Sequence, residues 1–195
     1  AMTKAELRKN YLDQRASLSV DEIEAWNRLI ADRFFERFDL SEVRNLHCFI
    51  SIKKFNEIDT SLIFRKIWKD FPSIRTSAPR LDREHNELKH YVYKSETKLL
   101  ENVWGIREPE SGEVIGALEF DLVIVPLLCF DKRGYRVGYG KGFYDKFLAG
   151  CRLDCRKIGL SFFPAADLID DVGEYDIALD ECVTPTTFYN FGNSK

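Results

Sequence analysis

Between residues 136 and 145 the chain places Arg136, Gly138, Gly140, Lys141, Gly142 and Asp145 within ten positions. Alternate glycines allow backbone conformations that side chains oppose and let an anion come close to the N–H groups. Arg136 and Lys141, with Arg133 just upstream, add full positive charges. The chemistry such a set can perform is neutralisation of a phosphate chain, and the N–H groups opening a following helix would add to it. A tight structural turn explains the glycines equally well. The spacing matches neither GxxxxGK[ST] nor GxGxxG. Asp145 is the odd member, because a carboxylate beside phosphate repels it unless a cation lies between them. Complementing a helix dipole is its alternative role.

Further candidates lie elsewhere. Lys4 and Arg8 are four apart, so one helix projects both from the same side, either into solvent or toward a shared anion. Glu57 ends an apolar stretch, and Trp104 either stacks on a ligand or belongs to the core. The five cysteines form no CxxC pair and there are three histidines, so a structural metal site is not expected. Nor does any Ser-His-Asp or Cys-His constellation stand out.

These residues need a scaffold. Helical spacing of apolar positions predicts helices over 3–16, 20–38, 59–70 and 141–149, the second burying Ile23, Trp26, Ile30, Phe34 and Phe38. Strands are expected over 45–52, 73–81, 88–95, 120–131 and 157–163, with a last apolar stretch over 181–191. Strands alternating with helices predict an α/β layered sandwich: one domain over 1–195, with a mainly parallel, Rossmann-like central sheet flanked by helices. Phe147 and Leu148 should pack the glycine-loop helix on that sheet.

The bulk properties narrow the classes. A net charge of −3 gives no general basic field for nucleic acid. No apolar run approaches the roughly 20 residues of a membrane span. An odd number of cysteines, two of them (Cys48 and Cys129) in strand-like runs, suits a reducing cytoplasm. Ala1 ahead of Met2 is expected to be an expression remnant.

The string GYRVGYGKGFYD resembles the signature of the 5-formyltetrahydrofolate cyclo-ligase family, Arg-Leu-Gly-x-Gly-x-Gly-Tyr-Tyr-Asp, with Val137 for Leu and Phe143 for the first Tyr. The resemblance extends to KAELRK, CFISIKKFNEIDT, WGIREP and DECVTP, although IKKF departs from the more usual proline-containing loop. It implies a scaffold similar to sugar-phosphate isomerases and CoA-transferases. It also implies conversion of 5-formyltetrahydrofolate to 5,10-methenyltetrahydrofolate, with ATP as co-substrate and Mg²⁺ as cofactor. Carried over residue by residue, Lys4, Arg8, Arg136, Val137, Gly138, Tyr139, Gly140, Lys141, Gly142, Phe143 and Tyr144 would bind ATP. Arg136 and Lys141 would be catalytic, and Ile52, Glu57, Trp104, Tyr139 and Phe143 would contact the folate. Asp145 and Asp180 would hold the metal. Small molecules would be the only partners, and a monomer is expected.

Overall fold

Thr3 and Ser19 open the first two helices by the same device. Each hydroxyl accepts from the N–H three residues on, and Glu6 or Glu22 reaches back to the cap N–H. These boxes start α1 (Lys4–Ala16) and α2 (Val20–Arg37). The chain then alternates: β1 (Asn45–Cys48), α3 (Ser61–Asp70), β2 (Arg75–Asp82), β3 (Glu87–Val92), β4 (Leu99–Glu101), β5 (Arg107–Pro109), β6 (Leu122–Val125), β7 (Cys129–Phe130), β8 (Arg136–Val137), α4 (Phe143–Ala149), β9 (Arg156–Leu160), β10 (Glu181–Val183) and β11 (Phe188–Asn190). The computed structural model describes residues 1–192.

One seven-stranded sheet runs β11-β10-β9-β6-β1-β2-β3. β10, β9, β6, β1 and β2 are parallel, and the edge strands β11 and β3 are antiparallel to their neighbours. This is the α/β fold expected. Helices cover both faces, which is why LVIV of β6 is buried along its whole length. On one face Ile30, Phe34 and Phe38 pack with Ile63, Phe64 and Ile67 of α3. On the other, Phe147 and Leu148 of α4 pack with Phe120, Val123 and Val125.

The adjacent strands β1 and β6 send their chains in opposite directions. β1 continues through α3 to β2, whereas β6 continues through α4 to β9. Such a switch point opens a crevice beyond the carboxyl ends of the two strands, where ligands of open α/β sheets bind.

One expectation needs correction, and the last apolar stretch gains definition. The run 120–131 is not one strand. It breaks after Val125 at Pro126, which has no N–H for a ladder, and Cys129–Phe130 pairs instead with Arg136–Val137 in a separate hairpin. Residues 181–191 form a hairpin rather than one element, with the Thr184 N–H and hydroxyl donating to Thr187 O at its turn. The small β4–β5 hairpin gave no alternating signal in sequence. No described helix is long and apolar enough to cross a membrane.

Candidate functional site

The β7–β8 hairpin delivers the glycine loop over the crevice. Gly140 (φ +90°) and Gly142 (φ +72°) occupy the left-handed region, where any other residue is strained. Gly140 has a second constraint, since a Cβ there would lie 3.2 Å from the Arg8 guanidinium. Gly142 opens α4, its carbonyl accepting from Lys146 N–H at 3.1 Å.

Cations converge on this loop. Arg8 donates through Nε to Gly138 O at 2.9 Å, so α1 presents it to the underside of the loop. Lys4, one turn earlier on the same helix, pairs with Asp176. Lys141 is exposed and has no ion-pair partner among the described residues. Arg136 has a side chain only 7 % exposed and donates through Nη2 to Asp145 Oδ1 at 3.2 Å. Its buried Nε has no partner among the described residues. Burial pulls the Arg136 guanidinium below its ordinary pKa, and the nearby Asp145 opposes that shift. A buried guanidinium with an unpaired N–H beside an open glycine loop is built to take an anion.

The second wall follows β1. Residues 49–51 lead into a 3-10 turn at Lys53–Phe55, and Asn56 (φ +50°) reverses the chain so that Glu57 turns inward. Glu57 is 6 % exposed. Its Oε1 accepts from Ile52 N–H at 3.3 Å, and its Oε2 accepts from the Tyr139 hydroxyl at 2.8 Å. Burial raises the Glu57 carboxyl above its usual range, while Arg15, Tyr139 and the Ile52 N–H hold it down. Tyr139 is pushed upward by burial and by Glu57, so it remains a neutral phenol able to donate. The Phe55 and Tyr139 rings stack at 5.1 Å and 28°, closing the gap between the two loops.

The structure therefore brings together Arg8, Arg136, Gly138, Tyr139, Gly140, Lys141, Gly142, Asp145, Ile52 and Glu57. Phe143 lies half-buried at the first position of α4. Trp104 is 48 % exposed on the β4–β5 turn, under the Arg83 guanidinium at 4.5 Å, so it is not a core residue. It lines a groove of about 310 Å³, and its carbonyl accepts from Lys54 of the Glu57 loop.

Other members of the expected set sit differently. The Val137 side chain is buried with Leu7 and Cys129, and its carbonyl accepts from Leu128 N–H, so it supports the loop from below. Tyr144 turns its ring into the core beside His47 and Phe147, with a buried hydroxyl that lacks a partner. Asp180 lies just before β10, three residues after Ile177, whose N–H donates to Asp145 Oδ1 at 3.1 Å. The Asp180 carboxylate is buried, accepts from Lys157 N–H at 2.8 Å and faces the Lys157 ammonium at 3.7 Å. One described trio, Asp82, Glu84 and His85, is close enough to share a metal, but it lies on the exposed β2–β3 turn.

Sequence reasoning missed Arg15 and Phe55. Arg15 sits one helical turn past Tyr11 in a stretch rich in charge, and nothing in that spacing marks it as buried.

A seven-stranded, mostly parallel sheet flanked by helices, with a crevice at its switch point roofed by a cation-lined glycine loop, defines the α/β class of the protein. Over residues 1–185 the chain matches the model of the 5-formyltetrahydrofolate cyclo-ligase family, and it belongs to that family of ligases. It is 26 % identical to the mouse 5-formyltetrahydrofolate cyclo-ligase, covering 76 % of this chain and 74 % of the mouse protein. It is 27 % identical to the Haemophilus influenzae protein of that name, over 69 % and 71 % of the two chains. The solved structure of Aquifex aeolicus 5,10-methenyltetrahydrofolate synthetase superposes with a TM-score of 0.80 at 26 % identity, covering 100 % of this chain and 95 % of that one.

Proposed function

We propose that the protein converts 5-formyltetrahydrofolate to 5,10-methenyltetrahydrofolate, consuming ATP with Mg²⁺ and releasing ADP and phosphate. One observation carries this reading. The glycine loop that gathers Arg8, Arg136 and Lys141 also donates, through Tyr139, to the buried carboxylate of Glu57 at 2.8 Å. A phosphate-directed wall and a wall suited to a polar heteroaromatic ligand thus share one crevice.

The formyl oxygen is a poor leaving group. Transfer of the ATP γ-phosphoryl group to it forms an imidate phosphate and leaves ADP. The N10 lone pair then attacks the formyl carbon, N10 loses its proton, and phosphate departs with the electrons of the C–O bond. Such chemistry requires positioning and charge neutralisation rather than a protein nucleophile. Lys141, exposed and unpaired, would follow the charge of the transferring group. Arg136 would direct its unpaired Nε–H at a phosphate oxygen. Lys4 would add a charge once drawn from Asp176, Arg8 would support the loop backbone, and Ile52, Phe143, Tyr139 and Trp104 would flank the folate beside Glu57.

Asp145 suits a magnesium site, because Mg²⁺ is commonly held by one or two carboxylates together with phosphate oxygens and water. Bound there, the ion would screen the carboxylate from the triphosphate. Asp180, whose Oδ2 accepts from Lys157 N–H, would be its second carboxylate. The five unpaired thiols fit a protein working in the cytoplasm.

Labelling the formyl group with ¹⁸O tests the scheme. The label should emerge in the inorganic phosphate. Unlabelled phosphate released alongside methenyltetrahydrofolate would contradict phosphorylation of the formyl oxygen.

A further inference from the structure

Arg15 is buried to 3 % exposure, and no carboxylate among the described residues contacts its guanidinium directly. Arginine is rarely so deeply buried without a charged partner. Its Nη1 donates to the Tyr139 hydroxyl at 2.8 Å and to Phe55 O at 3.4 Å, and its Nη2 donates to Leu127 O. These acceptors belong to the glycine loop, to the loop before Glu57 and to the chain leaving β6. One fork therefore ties together all the segments that form the crevice. The phenol it contacts donates in turn to Glu57 Oε2 at 2.8 Å. The charge of Arg15 is answered by Glu57 through one hydroxyl.

We propose that Arg15 is a positioning residue: through Tyr139 it holds the Glu57 carboxylate aimed into the crevice, and so couples the phosphate loop to the folate-facing carboxylate. The assignment of Glu57 to the folate rests on the functional reading above; the linkage of the three side chains does not. The groups that bear on Glu57 are Arg15 from α1, Tyr139 from the glycine loop, Tyr144 from α4 and Cys48 from β1. Arg15 is the cation among them. Burial drives the Glu57 proton affinity up and Arg15 restrains it, so removing the guanidinium leaves burial unopposed.

The test is a ¹³C carboxyl NMR titration of the free protein, with the Glu57 resonance assigned from Glu57→Gln. Arg15→Met should move the Glu57 midpoint upward by about one pH unit or more, an order of magnitude in proton affinity. Arg15→Lys keeps the charge but not the planar fork, and should fall between the two. In turnover, the acid limb of kcat/KM for 5-formyltetrahydrofolate should shift upward in Arg15→Met while that for ATP stays in place. If Arg15→Met does not fold, Tyr139→Phe removes the connecting hydroxyl alone and should also raise the midpoint. A Glu57 titration that superimposes on wild type in Arg15→Met, or in Tyr139→Phe where that variant stands in, overturns the proposal. The titration needs no substrate, so absence of turnover in the wild type would count against the functional reading alone.

Discussion

Arg136 Nη2 and Asp145 Oδ1 lie 3.2 Å apart, bridging the ends of the segment that contains Gly138, Gly140 and Gly142. The same carboxylate oxygen accepts from Ile177 N–H at 3.1 Å. The pair thus closes the glycine loop on itself and ties it to the segment before β10. Asp145 has a structural partner besides any metal, and Asp145→Asn has a more specific outcome than a free helix-start carboxylate would give. Asparagine keeps an acceptor but withdraws the countercharge from a buried guanidinium. The melting temperature should fall by roughly 2–4 °C, about 1 kcal/mol in a chain of this size. The Mg²⁺ concentration for half-maximal activity should rise about tenfold, as expected for loss of about 1.4 kcal/mol in ion affinity. A calorimetric scan and a Mg²⁺ titration at fixed ATP separate the two effects. Superimposable activation curves would leave Asp145 with its Arg136 role only.

Lys141 makes no ion pair among the described residues, so its removal should spare the fold. Lys141→Ala should melt within about 1 °C of wild type, as surface changes usually do. Its kcat/KM for ATP should fall on the order of a hundredfold, the scale of one lost charged contact in a transition state. Unchanged ATP kinetics would return Lys141 to the solvent.

Glu57→Gln keeps the shape and an acceptor for Tyr139 but removes the charge. The KM for 5-formyltetrahydrofolate should rise about tenfold or more, because a charged hydrogen bond contributes roughly 1.5–3 kcal/mol. The KM for ATP should change little. Initial-rate measurements with each substrate varied in turn decide this, and equal losses on both would show a general disturbance of the crevice.

The buried pair His47–His90 gives a pH signature independent of the site. Nε2 of His47 and Nδ1 of His90 approach to 3.0 Å among Phe120, Phe147 and Tyr144. Burial lowers both, His90 to about 4 and His47 well below its usual range. The unfolded chain takes up these protons near pH 6.5, and the folded chain does so only at lower pH. Stability is therefore complete above about 6.5 and is lost as pH falls toward 4, by on the order of 3 kcal/mol for His90 alone. Urea unfolding at stepped pH checks the slope, and His90→Gln should flatten it. A wild-type curve flat from pH 7 to 4.5 would contradict this assignment.

Much of this molecule could be read from its residues. Apolar spacing marks α2 and α3 because each presents a stripe to the sheet, and Thr3 and Ser19 stand where caps belong. LVIV announces a strand covered on both faces. The break at Pro126 was harder to foresee, because the apolar run continues through Leu127 and Leu128 and only hydrogen bonding separates β6 from β7. At the site, the glycines and cations of residues 136–145 were legible because backbone and charge requirements act locally. The pairing of Asp180 with Lys157 was not legible, because it is a property of two neighbouring strands. Arg15 stayed hidden for the same reason. Its partners Phe55, Leu127 and Tyr139 are distant in sequence and meet only when the crevice closes.

The central claim is tested most directly by mixing the purified protein with 5-formyltetrahydrofolate, ATP and Mg²⁺ and following methenyltetrahydrofolate absorbance and ADP together. The account predicts that both appear in equal amounts, and that neither appears when ATP is omitted. Absence of product above a no-enzyme control, or product formed without ATP consumption, would contradict it.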